Sequence, residues 1–98
     1  MTTTEITANF FHRFGLGDDL DAITAAMVGD FAADFDTERL AGLILDEIRA
    51  AVEDLGVTVT ASGIAYRDAA REVTDQEIRE ALDGVLDDQA ALLDAAAR

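Results

Sequence analysis

Val57-Thr58-Val59-Thr60-Ala61-Ser62-Gly63-Ile64-Ala65-Tyr66-Arg67 is the stretch that decides the fold. Apolar and polar residues alternate with period two on either side of Ala61-Ser62-Gly63, a run of turn formers, which predicts a short β-hairpin. Val57, Val59, Ile64 and Tyr66 are expected to face inward. Everything around this stretch follows a helical period instead. The expected class is therefore mainly α with a small β-hairpin, in the order α-α-α-β-β-α, arranged as an antiparallel helical bundle with the hairpin against it.

Working upstream, Leu40, Leu43, Ile44, Ile48, Val52 and Leu55 form one helical stripe that starts at Asp36 or Thr37 and stops at Gly56. Before it, Leu20, Ile23, Met27, Phe31 and Phe35 make a second stripe, with Asp18 and Asp19 at the end that welcomes negative charge. A joint of two or three residues predicts that these two helices fold back antiparallel. Thr2-Thr3-Thr4-Glu5 has capping-box spacing and predicts a first helix through Ile6, Phe10 and Phe14, closed at Gly15. Downstream, residues 68–73 fit a strand tail or a helical turn equally well. Thr74-Asp75-Gln76-Glu77 is a second capping box, opening a last helix with Ile78, Leu82, Val85, Leu86, Leu92 and Leu93 inward. Gly84 lies inside it at a cost of about 1 kcal/mol against Ala, and a close helix crossing would account for that. The element order resembles a winged-helix domain with an added C-terminal helix, residues 57–67 being the wing. That resemblance implies DNA contact through the third helix, Glu38 to Leu55, which is net negative and would be repelled by phosphate.

Charge narrows the partners. Twenty-one Asp and Glu stand against seven Arg and no Lys, a net of −14. Residues 18–36 hold six acids and no base, while residues 1–17 and 57–74 each sum to zero. Phosphate binding runs on Lys and Arg, so nucleic acid is excluded as a direct ligand, and an anionic membrane surface is excluded with it. The field favours a basic protein surface as partner, or a solvent salty enough to make strong acidity ordinary. The length of 98 residues fits a single small acidic helical domain, residues 1–98. The longest apolar run, Ala41-Gly42-Leu43-Ile44-Leu45, is too short to span a bilayer, and Met1 to Glu5 lack a basic leader, so a cytoplasmic protein is expected.

Catalytic chemistry has little to work with. Cys and Lys are absent, His12 is the only His, and Ser62 is the only Ser, placed in a turn where Ser is ordinary. No enzyme is expected. A calcium loop begun at Asp34 would put Arg39 where Gly is required and Leu45 where the bidentate Glu belongs, so no metal site is expected either. Gly15-Leu16-Gly17 follows a helix and runs into Asp18-Asp19, which suits helix-boundary glycines and implies no cofactor. Gly17-Asp18-Asp19-Leu20-Asp21-Ala22-Ile23 resembles the second-helix segment of acyl carrier proteins. In that family the residue before Leu is the Ser that bears the phosphopantetheine arm; here it is Asp19, so the carrier function does not follow.

What remains is surface. Glu80, Asp83 and Asp87, with Asp94, fall on one side of the last helix, opposite Ile78, Leu82 and Val85, and are the first candidates for a partner-binding acidic face. Asp30 and Asp34 are the second. Phe10, Phe11 and Phe14 crowd three of five Phe into five residues, more than a short helix can bury alone, and form a candidate aromatic interface for a partner or for a homodimer. The expected function is a non-enzymatic acidic protein-binding module that occludes a basic surface, similar in type to phage-borne inhibitors and DNA mimics, a likeness that covers no motif. The alternative is a small self-associating structural or adaptor subunit from a halophilic or high-GC organism.

Overall fold

In the computed structural model, residues 3–6, 9–17 and 19–98 are described. Two of the expected caps set the helical frame. The Asp36 carboxylate accepts the Arg39 N–H at 3.1 Å and starts α3, Thr37–Glu53. The Thr74 hydroxyl accepts the Glu77 N–H at 3.2 Å and starts α4, Asp75–Asp87. Each satisfies a donor that the first helical turn leaves unpaired, a contribution of about 1 kcal/mol. α3 is about 25 Å long at 1.5 Å per residue and is the spine of a body measuring 44 × 20 × 20 Å. Leu40, Ile44, Ile48 and Val52 on it are essentially inaccessible. α2 (Leu20–Val28), α4, α5 (Gln89–Ala96) and the strand β2 (Val57–Val59) all pack against it.

The first segment departs from expectation. Residues Thr3–Ile6 form a strand, β1, and the helix that follows, α1, is only Phe10–Arg13. Thr2, the first residue of the expected capping box, lies outside the described residues. The strand β3 (Ala65–Asp68) is central, with β1 on one edge and β2 on the other, both antiparallel. A hairpin alone would leave one edge of β3 unpaired, and Thr3, Thr4 and Ile6 are β-branched residues suited to fill it. The chain is mainly helical with a small three-stranded antiparallel sheet, in the order β-α-α-α-β-β-α-α once the 3₁₀ segment between α2 and α3 is set aside.

The sheet register is shifted by one residue from the expected one. Val57 and Val59 face inward as anticipated, but Val59 pairs directly with Ala65. Residues opposite each other share a face, so Ala65 and Ile6 are buried while Ile64 and Tyr66 point out, 37% and 39% exposed. α1 lies against the hairpin turn just ahead of β3. Phe10 N–H donates to Gly63 O at 2.8 Å. A Cβ on Gly63, at φ +84°, would stand 3.3 Å from the Phe11 ring. Glycine is required there on both counts.

Two expected long helices are each divided. α2 ends at Gly29, whose φ of 55° and ψ of −128° turn the chain into a 3₁₀ segment, Gly29–Asp34. Phe31, expected on the inward stripe, is consequently 66% exposed, and Phe35 is only partly buried. The last helix breaks at Asp88 into α4 and α5, which lets Leu92 and Ala96 join the core. Gly84 does not mark the expected close crossing, since nothing lies within 4 Å of where its Cβ would be. Residues 69–70 form a turn after β3, where the Asp68 carboxylate accepts the Ala70 N–H at 2.9 Å.

The two ends of α3 are anchored differently. At its start, Asp36 N–H donates to Ala96 O (2.9 Å), Arg98 N–H to Asp34 O (3.0 Å) and Arg98 Nε to Phe35 O (3.2 Å), so the last residues clip onto the 3₁₀ segment. Its end leads into the sheet, and Arg49 Nε donates to Val59 O at 2.8 Å. Among the described residues no helix is long and apolar enough to cross a membrane.

Candidate functional site

The aromatic candidates are core. Phe10 and Phe11 are fully buried and Phe14 is 4% exposed, with edge-to-face ring contacts at 5.7 Å (Phe10–Phe11) and 5.0 Å (Phe10–Phe14). This corrects the expected aromatic interface. One helical turn cannot bury three rings by itself, but α1 is enclosed by the hairpin turn on one side and the helical core on the other. Among the described residues Phe31 is the exposed phenylalanine, although helical periodicity places it inside.

The acidic candidates lie on the surface, and helix geometry sorts the acids by what they do. Asp19 caps α2, accepting the Ala22 N–H at 2.7 Å, and Asp21 follows in its first turn. Asp36 and Glu38 take the same places on α3, and Asp75 and Glu77 occupy the first turn of α4. Negative charge at these N-terminal ends complements the helix dipole. Asp75 also pairs with Arg13, tying α4 to α1.

A second set sits where the fold gains nothing from it. Glu53 is in the last turn of α3, Asp87 in that of α4 and Asp94 in that of α5, and none of these turns carries a basic residue. Carboxylates there oppose the negative end of the dipole by about 0.3–1 kcal/mol each at low salt. The side chains of Asp30, Asp34, Asp83 and Asp87 make no hydrogen bond or ion pair among the described residues. Glu80 accepts from Gln76 Nε2 at 3.3 Å, and Asp46 pairs with Arg49 at 3.9 Å.

The candidates form two groups. Glu80, Asp83 and Asp87 are all exposed on α4 at spacings of three and four residues, so they form one row about 10 Å long. Glu80 and Asp83 share a shallow depression with Asp75, Gln76 and Arg79, and Arg79 is the one cation in it. Asp30 and Asp34 belong to the 3₁₀ segment, beside the C-terminal clip rather than on α4.

The remaining polar chemistry is local. Ser62 Oγ lies 2.9 Å from Thr60 Oγ1 within the hairpin turn. His12 is exposed on α1. Among the described residues no three His, Asp or Glu are grouped to hold a metal ion, and no buried side-chain nitrogen or oxygen lacks a partner.

Periodicity alone missed one further surface. A cleft of about 500 Å³ between α2 and α3 is lined by Ala25, Val28, Gly29, Ala32 and Ala41, with Asp21 and Glu38 also on its wall. The chain break at Gly29 shapes one wall of it, and a glycine inside an otherwise helical pattern is the one feature of the sequence that marks the break. Compared with protein-family models, with curated proteins and with solved structures, the chain matches none.

Proposed function

We propose that this protein is a non-enzymatic acidic binding module that occludes a basic, nucleic-acid-binding surface on a partner protein, in the manner of a DNA mimic or phage-borne inhibitor. The observation that carries the reading is line charge. Twenty-one carboxylates along a 44 Å axis come to about one per 2 Å (44/21), and a net charge of −14 comes to about one per 3 Å (44/14). Duplex DNA carries one charge about every 1.7 Å of its axis. A single acidic helix is several-fold too sparse to imitate this, but acids from α2 to α5 around one elongated body approach it. Acids at the carboxyl ends of α3, α4 and α5, where they oppose the helix dipoles, support the same reading.

The test is competition. Proteins captured from a host lysate by the immobilised chain should be released by duplex DNA as well as by salt. The variant Glu80→Gln/Asp83→Asn/Asp87→Asn should associate with a captured partner more slowly and with a shallower salt dependence. An unchanged on-rate and salt slope would mean that the α4 row only keeps the protein soluble.

A second reading, a self-associating structural or adaptor subunit, draws on a different surface. Ile64 and Tyr66 are exposed on the outer face of the sheet, in segments whose net charge is zero. Two copies meeting there would avoid most of their mutual repulsion.

A further inference from the structure

We infer that the α2–α3 cleft is a docking groove for a cationic amphipathic helix, with Phe31, beside the groove residue Ala32 in the chain, as an additional aromatic contact. This rests on the acidic-module reading and names the part of the partner that one face of the protein would hold. Three independent features converge on it. First, the groove is floored by the buried Thr24 and Val28 and walled by small residues, Ala25, Gly29, Ala32 and Ala41, so a helix backbone can approach closely. Helix-in-groove recognition relies on such a surface for apolar anchors spaced at three and four residues.

Second, Phe31 is 66% exposed, more than any other large apolar side chain described, and lies between the groove residues Gly29 and Ala32 in sequence. The turn at Gly29 removes Phe31 from the core that helical continuation would have given it. Aromatic side chains, Phe among them, are enriched at the cores of protein interfaces. Third, the occupant's charge follows from the rim. Asp21 and Glu38 line the groove, and residues 18–36 hold six acids and no base. An apolar helix without Lys or Arg would gain nothing from this rim, and an acidic one would be repelled. A second copy meeting this one groove to groove is disfavoured for the same reason, since both surfaces are acidic.

The probe is a synthetic Leu/Lys peptide of about four helical turns, patterned so that Leu forms one face. A scrambled peptide of the same composition and an all-Lys peptide serve as comparisons. Binding is followed by fluorescence anisotropy against the native chain, Phe31→Ala and Ala32→Trp. Both altered positions are exposed, and circular dichroism verifies that the variants fold. The patterned peptide should bind most tightly. Phe31→Ala and Ala32→Trp should each weaken it about tenfold, the loss typical of an interface anchor, and leave the all-Lys peptide within about twofold. Glu38→Gln should weaken both peptides and reduce the salt dependence of each.

Equal binding of patterned and scrambled peptides, or no loss in Phe31→Ala and Ala32→Trp, overturns the groove while leaving the acidic-module reading intact. Binding of none of the three peptides at low salt overturns both. If Phe31→Ala instead dissociates a dimer seen by sedimentation and leaves peptide binding unchanged, the groove's occupant is a second copy and the proposal fails.

Discussion

Two triple variants with the same change in net charge should move stability in opposite directions. The first, Glu53→Gln/Asp87→Asn/Asp94→Asn, removes acids from the last turns of α3, α4 and α5. The second, Asp21→Asn/Glu38→Gln/Glu77→Gln, removes acids from the first turns of α2, α3 and α4. Each takes the net charge from −14 to −11 (−14 + 3), so any relief of overall self-repulsion is common to both. The local terms differ in sign. At about 0.3–1 kcal/mol per exposed site, three sites sum to about 1.5 kcal/mol of gain in the first variant and a similar loss in the second. For a domain of this size that is a shift of about 6–12 °C in melting temperature each way. Half the sum of the two shifts then reports global repulsion, and half their difference reports the dipole term. Thermal melts by circular dichroism at about 10 mM and about 500 mM NaCl should show the difference shrinking with salt. Equal shifts of the same sign at low salt would refute the sorting of these acids by helix end.

Other outcomes follow from particular residues. Because the native chain is strongly self-repulsive, its melting temperature should rise between about 10 and 500 mM NaCl, and a flat profile would show that the acids are already harmlessly spaced. Phe11→Ala empties a fully buried site beneath Gly63 and should cost about 3–5 kcal/mol in denaturant unfolding, whereas a loss under 1 kcal/mol would contradict its place in the core. Thr74→Ala removes the cap of α4 and should cost about 1 kcal/mol. Replacement by Ser should restore most of that, and failure of Ser to rescue would argue against the hydroxyl's role. Tyr66→Ser should change stability little, since Tyr66 faces outward. If it converts a dimer to a monomer in sedimentation, the self-associating reading gains and the mimic reading loses ground.

Local chemistry was enough to determine where α3 and α4 begin, that residues 57–67 turn back on themselves, how lopsided the charge is, and four of the buried residues of α3, Leu40, Ile44, Ile48 and Val52, though not Leu45, and it placed the half-buried Leu43 and Leu55 fully inside. Caps, turns and helical hydrogen bonds join residues a few positions apart, so Asp36, Thr74 and Gly63 reveal them without reference to the rest of the chain. The described acids other than the half-buried Asp68 could likewise be placed on the outside, because an unpaired buried charge is costly. Tertiary structure alone decided the rest. Thr2 and Glu5 have capping-box spacing while Thr3, Thr4 and Ile6 are β-branched, and Thr3–Ile6 becomes a strand because β3 has a free edge about sixty residues away in sequence. Ala65 faces inward in place of Tyr66 because Val59 and the turn over Phe11 set the register. Phe10, Phe11 and Phe14 are enclosed by sheet and helices that no local pattern places beside them, while Phe31 is left in solvent by a break at Gly29. Strand pairing and the division of apolar residues between core and surface depend on which partners the rest of the chain brings within contact, and that depends on the whole packed structure rather than on any one segment.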